Sequence, residues 1–363
     1  MARMESPPLP GGNLVSDIHT EREVAFAMAL HDRLGAGSSA AILQSQELAD
    51  IICRKAKKPM LMVIGGKDAT TNASIEGVEC YDPDTQEWAT MQPMPFPRRG
   101  LAAAAIQGRM YLMGGQYTGA YSSTDSPIFC RYHPNAMVQS CGDRRGDWRH
   151  EAPLPTARSY LAASEGEDED GLYAIGGFEG SLGNRYLSTV ERYSARRDEW
   201  TACADISSGR SHLAATTLNQ SVFALGGYSD GHAWAEVERY DAGKDIWVKE
   251  APMPTARDSL AAASLGGRVY ALGGCVEGGV TTLATVESLD PRVGRWQAEV
   301  SMPSVRTLLS AAVVGERLFV LGGNVARLGS NYNAMHAFDP RAGKWAEEAP
   351  MLTSRIGAAV AVL

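Results

Sequence analysis

The sequence predicts an all-β fold: a six-bladed β-propeller, closed by its own C-terminal strand and preceded by a short α-helical extension. Three observations over the 363 residues carry this expectation. An apolar run ending in Gly-Gly recurs six times, at Gly65-Gly66, Gly114-Gly115, Gly176-Gly177, Gly226-Gly227, Gly273-Gly274 and Gly322-Gly323. A Trp series (88, 148, 200, 247, 296, 345) is followed ten residues later, in all six copies, by Arg98, Arg158, Arg210, Arg257, Arg306 and Arg355. A period near fifty residues is the mark of a repeat architecture. The two ends of the array are also complementary: the strand missing at the first is surplus at the last.

Residues 1–15 are rich in Pro and Gly and are expected to be disordered. Residues 16–58 form the helical extension. Thr20 to Glu23 reads as a capping box, Gly35 as a stop, and a second helix runs from Ser39 to Lys58, where Pro59 breaks it. The propeller occupies 59–363, with blades at about 59–97 plus 355–363, 98–157, 158–209, 210–256, 257–305 and 306–354.

The fifth copy shows how one blade is built. A run of small residues, Ser259–Ser264, is the first strand and Gly266-Gly267 the turn after it. Val269–Leu272 is the second strand, closed by Gly273-Gly274. Val286–Leu289 alternates apolar and polar as a half-buried strand does, Asp290-Pro291 and Gly294 make the next turn, and Trp296–Val300 is the fourth strand. The first strand is Ala-rich in every copy, although Ala is a poor strand former. Crowding supplies the reason: sheets standing radially about one axis converge at their innermost strands, where only small side chains fit, and Trp, Tyr and Phe fill the wider outer gaps. The first copy lacks an Ala-rich strand and the last ends in a surplus one, Arg355–Leu363. Pairing them closes the ring and removes an exposed edge.

Net charge is −8, which gives no support to a nucleic-acid role. No apolar run approaches the length of a membrane span, and nothing resembles a secretory signal. The six Cys (53, 80, 130, 141, 203, 275) have no framework spacing and are expected to be reduced, in the cytoplasm or alternatively the nucleus.

These residues resemble the kelch repeat family, whose signature is Gly-Gly after the second strand followed by spaced Tyr and Trp. Met62, Leu289 and Ile206-Ser207 depart from its pattern without threatening the fold. Two insertions stand out: His133–Asp147, placed between Tyr132 and Trp148 of the second blade, and Glu165–Asp170, in the first turn of the third blade. Both are expected on the face opposite the loops that follow Gly-Gly.

The Arg series is the leading functional signal. Each Arg is expected to open an innermost strand, so that six guanidiniums ring one mouth of the channel. In kelch proteins the Arg and its successor often contact a peptide, and the resemblance carries this to Arg98 with Arg99, Arg158 with Ser159, Arg210 with Ser211, Arg257 with Asp258, Arg306 with Thr307, and Arg355. Bidentate pairing with carboxylates makes an acidic peptide the natural partner. The competing reading is that these arginines bond backbone carbonyls between blades. Tyr228, His232 and Trp234 share one loop after Gly-Gly, and Trp234 stands outside the repeat series. Arg, Tyr and Trp are the usual composition of binding hot spots.

The expected function is non-enzymatic recognition of a partner protein or peptide through this mouth. Alternatives are a substrate receptor of a cullin ubiquitin ligase, with cullin or BTB components as partners; a propeller enzyme of the oxidase or sugar-epimerase kind; and actin or cytoskeleton binding. No nucleophile elbow, phosphate loop or His-Glu-x-x-His occurs. Cys130, His133 and Cys141 could supply zinc ligands, but without a Cys-x-x-Cys pair they read as surface-loop residues, and neither metal nor cofactor is expected.

Overall fold

The computed structural model describes residues 59–68, 71–117, 134–142, 147–180, 185–276, 281–324 and 333–363. The expected N-terminal extension lies outside them, as do Cys53, Cys130 and His133. Six four-stranded antiparallel sheets make up the fold. Blade 5 follows the expected plan closely, with strands Ala261–Leu265, Arg268–Leu272, Val286–Asp290 and Arg295–Ala298. Closure is as expected: Ala359–Val362 pairs with Leu61–Ile64, and Met60 and Leu363 exchange backbone hydrogen bonds of 2.7 and 3.0 Å.

The core is divided into six apolar clusters, one in each gap between neighbouring blades. Between blades 2 and 3, for example, Tyr111 packs on Tyr193 at 5.7 Å and Tyr193 on Trp200 at 5.1 Å. The taper predicted from the Ala-rich strands is present. The innermost strands line an axial cavity of about 250 Å³ whose walls are mostly Ala, with Ser164, Glu165, Thr216, Thr217 and Ser264 as its polar members.

The repeated Trp also ties blades together. The indole N–H of Trp88, Trp200, Trp247, Trp296 and Trp345 donates to a backbone carbonyl of the preceding blade at 2.8–2.9 Å. Trp148 of blade 2 is the exception, its buried Nε1 having no partner among the described residues.

Blade 2 corrects one expectation. Its third strand is Val138–Cys141, and Cys141 pairs with Trp148 where the other blades pair Tyr81, Tyr193, Tyr240, Leu289 or Phe338 with their Trp. Cys141 therefore holds the position assigned to Tyr132. The extra length falls in the sequence between Gly115 and Val138, and not between the third and fourth strands. Cys141 is buried in the gap between blades 1 and 2. The acidic insertion is where the sequence placed it, between Ala162–Glu165 and Gly171–Ile175.

Candidate functional site at the propeller mouth

One face of the ring is formed by the loops after Gly-Gly and the segments that carry the Arg series. The glycines are dictated by close approach. A Cβ on Gly226 (φ 58°) would lie 2.4 Å from the Arg257 carbonyl oxygen, and one on Gly227 (φ 111°) 2.9 Å from that of Ser211. Only Gly tolerates both the left-handed backbone and the contact.

The six arginines do not ring this mouth. All are 0–1% exposed, so the expectation that Arg98, Arg158, Arg210, Arg257, Arg306 and Arg355 present guanidiniums to a ligand is corrected. They act as staples between blades. The carbonyl of Arg257 accepts from Gly227 N of blade 4 at 3.0 Å, while its Nη1 donates to Gly273 O of blade 5 at 3.1 Å. Arg98, Arg158, Arg306 and Arg355 likewise donate to Gly114, Gly176, Gly322 and Gly65.

A second partner comes from the third strand of the same blade. Arg158, Arg210, Arg257 and Arg355 form buried ion pairs with Glu191, Glu238, Glu287 and Glu79 at 2.6–2.9 Å. Arg98 uses Gln139 Oε1 at 2.6 Å, and Arg306 meets His336 Nδ1 at 2.9 Å. Burial pushes Arg98 down to about 10, and it also lowers Arg158 and Arg257. A buried guanidinium with fixed partners is committed to the fold, and the argument from these six charges to an acidic partner falls with it.

The innermost strands begin four residues after each Arg, because the chain first makes a left-handed step. Gly100, Tyr160, His212, Ser259, Leu308 and Gly357 all have φ between 52° and 60°. Their backbones join round the axis: Tyr160 N donates to Gly100 O, His212 to Tyr160, Ser259 to His212, Leu308 to Ser259 and Gly357 to Leu308, at 2.7–2.9 Å. This annulus frames the channel mouth. The sequence reading missed it, because only Gly100 and Gly357 advertise the conformation. On it the Tyr160 and His212 rings stack at 4.0 Å, Gln116 Nε2 donates to Tyr160 Oη at 2.9 Å, and burial drives His212 down to about 4.

Outside the annulus, each residue after Arg forms a β-bridge with the first residue after Gly-Gly: Arg99 with Gln116, Ser159 with Phe178, Ser211 with Tyr228, Asp258 with Cys275, Thr307 with Asn324. Ser211 is buried, its Oγ 2.9 Å from His212 Nδ1. Two short hairpins rise beyond this ring on blades 3 and 4, Phe178–Glu179 with Arg185–Tyr186, and Tyr228–Ser229 with His232–Ala233. Their half-buried aromatics form a continuous sector. Phe178 meets Tyr186 at 5.7 Å and Tyr186 meets Tyr228 at 6.0 Å. The exposed His232 sits 5.7 Å from Trp234, whose Nε1 donates to Ser229 Oγ at 2.8 Å. The structure thus brings Tyr228, His232 and Trp234 together on blade 4, as the sequence suggested, and adds Phe178 and Tyr186.

Described positive side chains near this ring include Lys67, Arg99 and Arg185, the last paired with Glu179 at 2.9 Å; burial, and then the charge of Arg99, lower Lys67. Among the described residues no group of three or more His, Cys, Asp or Glu is placed to hold a metal ion.

Six stapled blades with a polar and aromatic mouth on one face define a closed repeat propeller whose variable loops surround one channel opening. The Kelch motif matches residues 59–95, 169–207, 209–254, 256–303 and 306–352, more than half of the chain. The chain belongs to the kelch repeat family. The matches pass over blade 2, which nevertheless folds as a blade. The chain is similar to Kelch-like protein 35 of Homo sapiens (28% identical over 173 residues, 47% of this chain) and to Kelch-like protein 36 of Bos taurus (30% over 175 residues, 47% of this chain). Kelch-like protein 41a of Danio rerio is 25% identical over 171 residues. The chain spans about a quarter of the length of these curated relatives, 26% in each case.

Proposed function

We propose that this chain is a non-catalytic recognition module that binds a partner polypeptide at the mouth framed by the annulus, chiefly through the aromatic sector of blades 3 and 4. The observation that carries the reading is the run of rings from Phe178 through Tyr186 to Tyr228, with Trp234 and His232 beside it. These aromatics lie outside the six gap-filling clusters, so blade packing does not require them. Tyr and Trp provide large contact area at small entropic cost and dominate binding hot spots. Family membership supports a binding role, since the kelch fold builds one scaffold and varies the loops on it.

The test is site-specific photocrosslinking. A photoreactive residue at exposed position 232 should capture a partner from a native lysate. The same residue at Lys244, exposed in a turn on the opposite face, should not. The captured band should disappear when Tyr228→Ala and Trp234→Ala are combined in a chain that melts as the parent does. Equal capture from both faces, or capture that survives the double substitution, overturns the reading.

A further inference from the structure

The ring of residues that follow the Arg series contains one acid, Asp258. The β-bridge to Cys275 marks extended backbone here, so side chains alternate. Arg257 turns into its blade towards Glu287, and Asp258 turns the other way, towards Ser259 of the annulus. Asp258 is 6% exposed. Its Oδ1 accepts from Ser259 Oγ at 2.7 Å and from Cys275 Sγ at 3.2 Å, whereas Oδ2 is buried and receives no donor among the described residues. No described basic side chain forms an ion pair with it, while Glu79, Glu191, Glu238 and Glu287, the deeply buried glutamates of the third strands, each face an arginine.

The neighbouring blade continues the pattern. Thr307 Oγ1 donates to Cys275 Sγ at 3.4 Å, joining blades 5 and 6. Thr307 is bridged to Asn324, whose Oδ1 is also buried without a donor among the described residues. Burial raises the Cys275 thiol to about 11, so it stays protonated and brings no charge of its own. The sector therefore offers two buried acceptors, one of them a carboxylate oxygen, and no described residue forms an ion pair with that carboxylate. A buried carboxylate left without a counter-charge is costly, and a matching cation recovers that cost.

We propose that this sector of the mouth receives a basic side chain, Lys or Arg, from the docked polypeptide, with Asp258 as its counter-ion and Asn324 as a further acceptor. The inference rests on the reading that a polypeptide docks in this mouth, and it names the partner's chemistry there. It also opposes the acidic ligand suggested by the Arg series. An ammonium carries three donors and a guanidinium five, matching acceptors that lack any.

The experiment pans the full chain against a random linear peptide library, in parallel with Asp258→Asn and Asp258→Lys. Melting curves confirm that each variant folds. Should Asp258→Asn fail to fold, Asp258→Ser replaces it, since Ser stands at the equivalent positions 159 and 211. Peptides retained by the parent should share a Lys or Arg at one fixed position. Replacing that residue by Met should weaken binding to the parent about tenfold or more, as expected for a charge-assisted contact, but should weaken binding to Asp258→Asn little. Asp258→Lys should select an acid at that position. A retained motif without a fixed basic residue, or an equal loss with Asp258→Asn, overturns the proposal while leaving docking intact. If no peptide is retained, or if retained peptides bind the Tyr228→Ala/Trp234→Ala chain equally well, the docking reading fails and this inference fails with it.

Discussion

Blades 5 and 2 hold the same arginine in different company. In blade 5, Arg257 bonds Gly273 O and Thr285 O and closes an ion pair with Glu287. In blade 2, Arg98 makes the corresponding bonds to Gly114 O and Met137 O but faces the amide of Gln139. Burial alone lowers Arg98, whereas in Arg257 Glu287 offsets part of the effect. In five blades the shared part of the staple is therefore the guanidinium's grip on main-chain carbonyls; Arg210 of blade 4, whose described guanidinium bond runs to Glu238, is the exception. The negative charge is an addition that four blades carry and two do without, blade 6 substituting His336. A carboxylate once present cannot simply be removed, because the site around it has been built for a pair.

That comparison can be broken most severely at the ring closure. Deleting residues 355–363 removes both the Arg355 staple and the strand that completes blade 1, and should abolish cooperative thermal unfolding. A truncated chain that melts like its parent would refute the closed-ring account. Next in size is Glu238→Ala. The described bonds of the Arg210 guanidinium run to Glu238 alone, so the variant should lose about 3–5 kcal/mol in denaturant unfolding. Gln139→Ala in blade 2 should lose less, about 1.5–3 kcal/mol, the scale of one hydrogen bond to a buried charged group.

A smaller effect appears with pH. His212 falls from an ordinary 6.5 to about 4 on burial, so the unfolded chain binds its proton first. Stability on this account is full above pH 6.5 and is lost progressively towards pH 4. His336, lowered by burial and then by Arg306, with Glu347 opposing, acts in the same sense. His212→Asn, which keeps a residue tolerant of left-handed backbone, should reduce the fall in unfolding free energy between pH 8 and pH 5 by about 2 kcal/mol. An unchanged slope would remove His212 from the account. The smallest contrast lies in the Trp series. Trp200→Phe loses a bond to Ala152 O and should cost about 1 kcal/mol beyond the change in ring size, whereas Trp148→Phe has no such bond to lose.

The fold was legible because its signals are redundant. Gly pairs, Trp, Ala-rich strands and the displaced terminal strand all report one geometry, and each has a steric cause. Blade 2 shows where redundancy ran out: with Cys141 in the aromatic position, Tyr132 offered a false register and put the extra length in the wrong connection. The Arg series was visible, but its direction was not. The clue was available in the acids at the second position of the third strands, Glu79, Glu191, Glu238 and Glu287, which are too numerous and too regular to be solvent residues in buried strands. The annulus was hidden because Tyr, His, Ser and Leu occupy left-handed positions that sequence reasoning reserves for Gly and Asn. Asp258 was noted as an arginine's neighbour, but its lack of an ion pair with any described residue emerges only when the blades are assembled.

Leu363 finishes beside Met60, at the level of the turn joining first and second strands, and so on the side away from the annulus. A biotin or affinity handle attached after Leu363 would therefore anchor the molecule to a sensor chip with the channel opening directed into the flowing sample. Coupling through Lys67, in contrast, would press the aromatic hairpins towards the matrix.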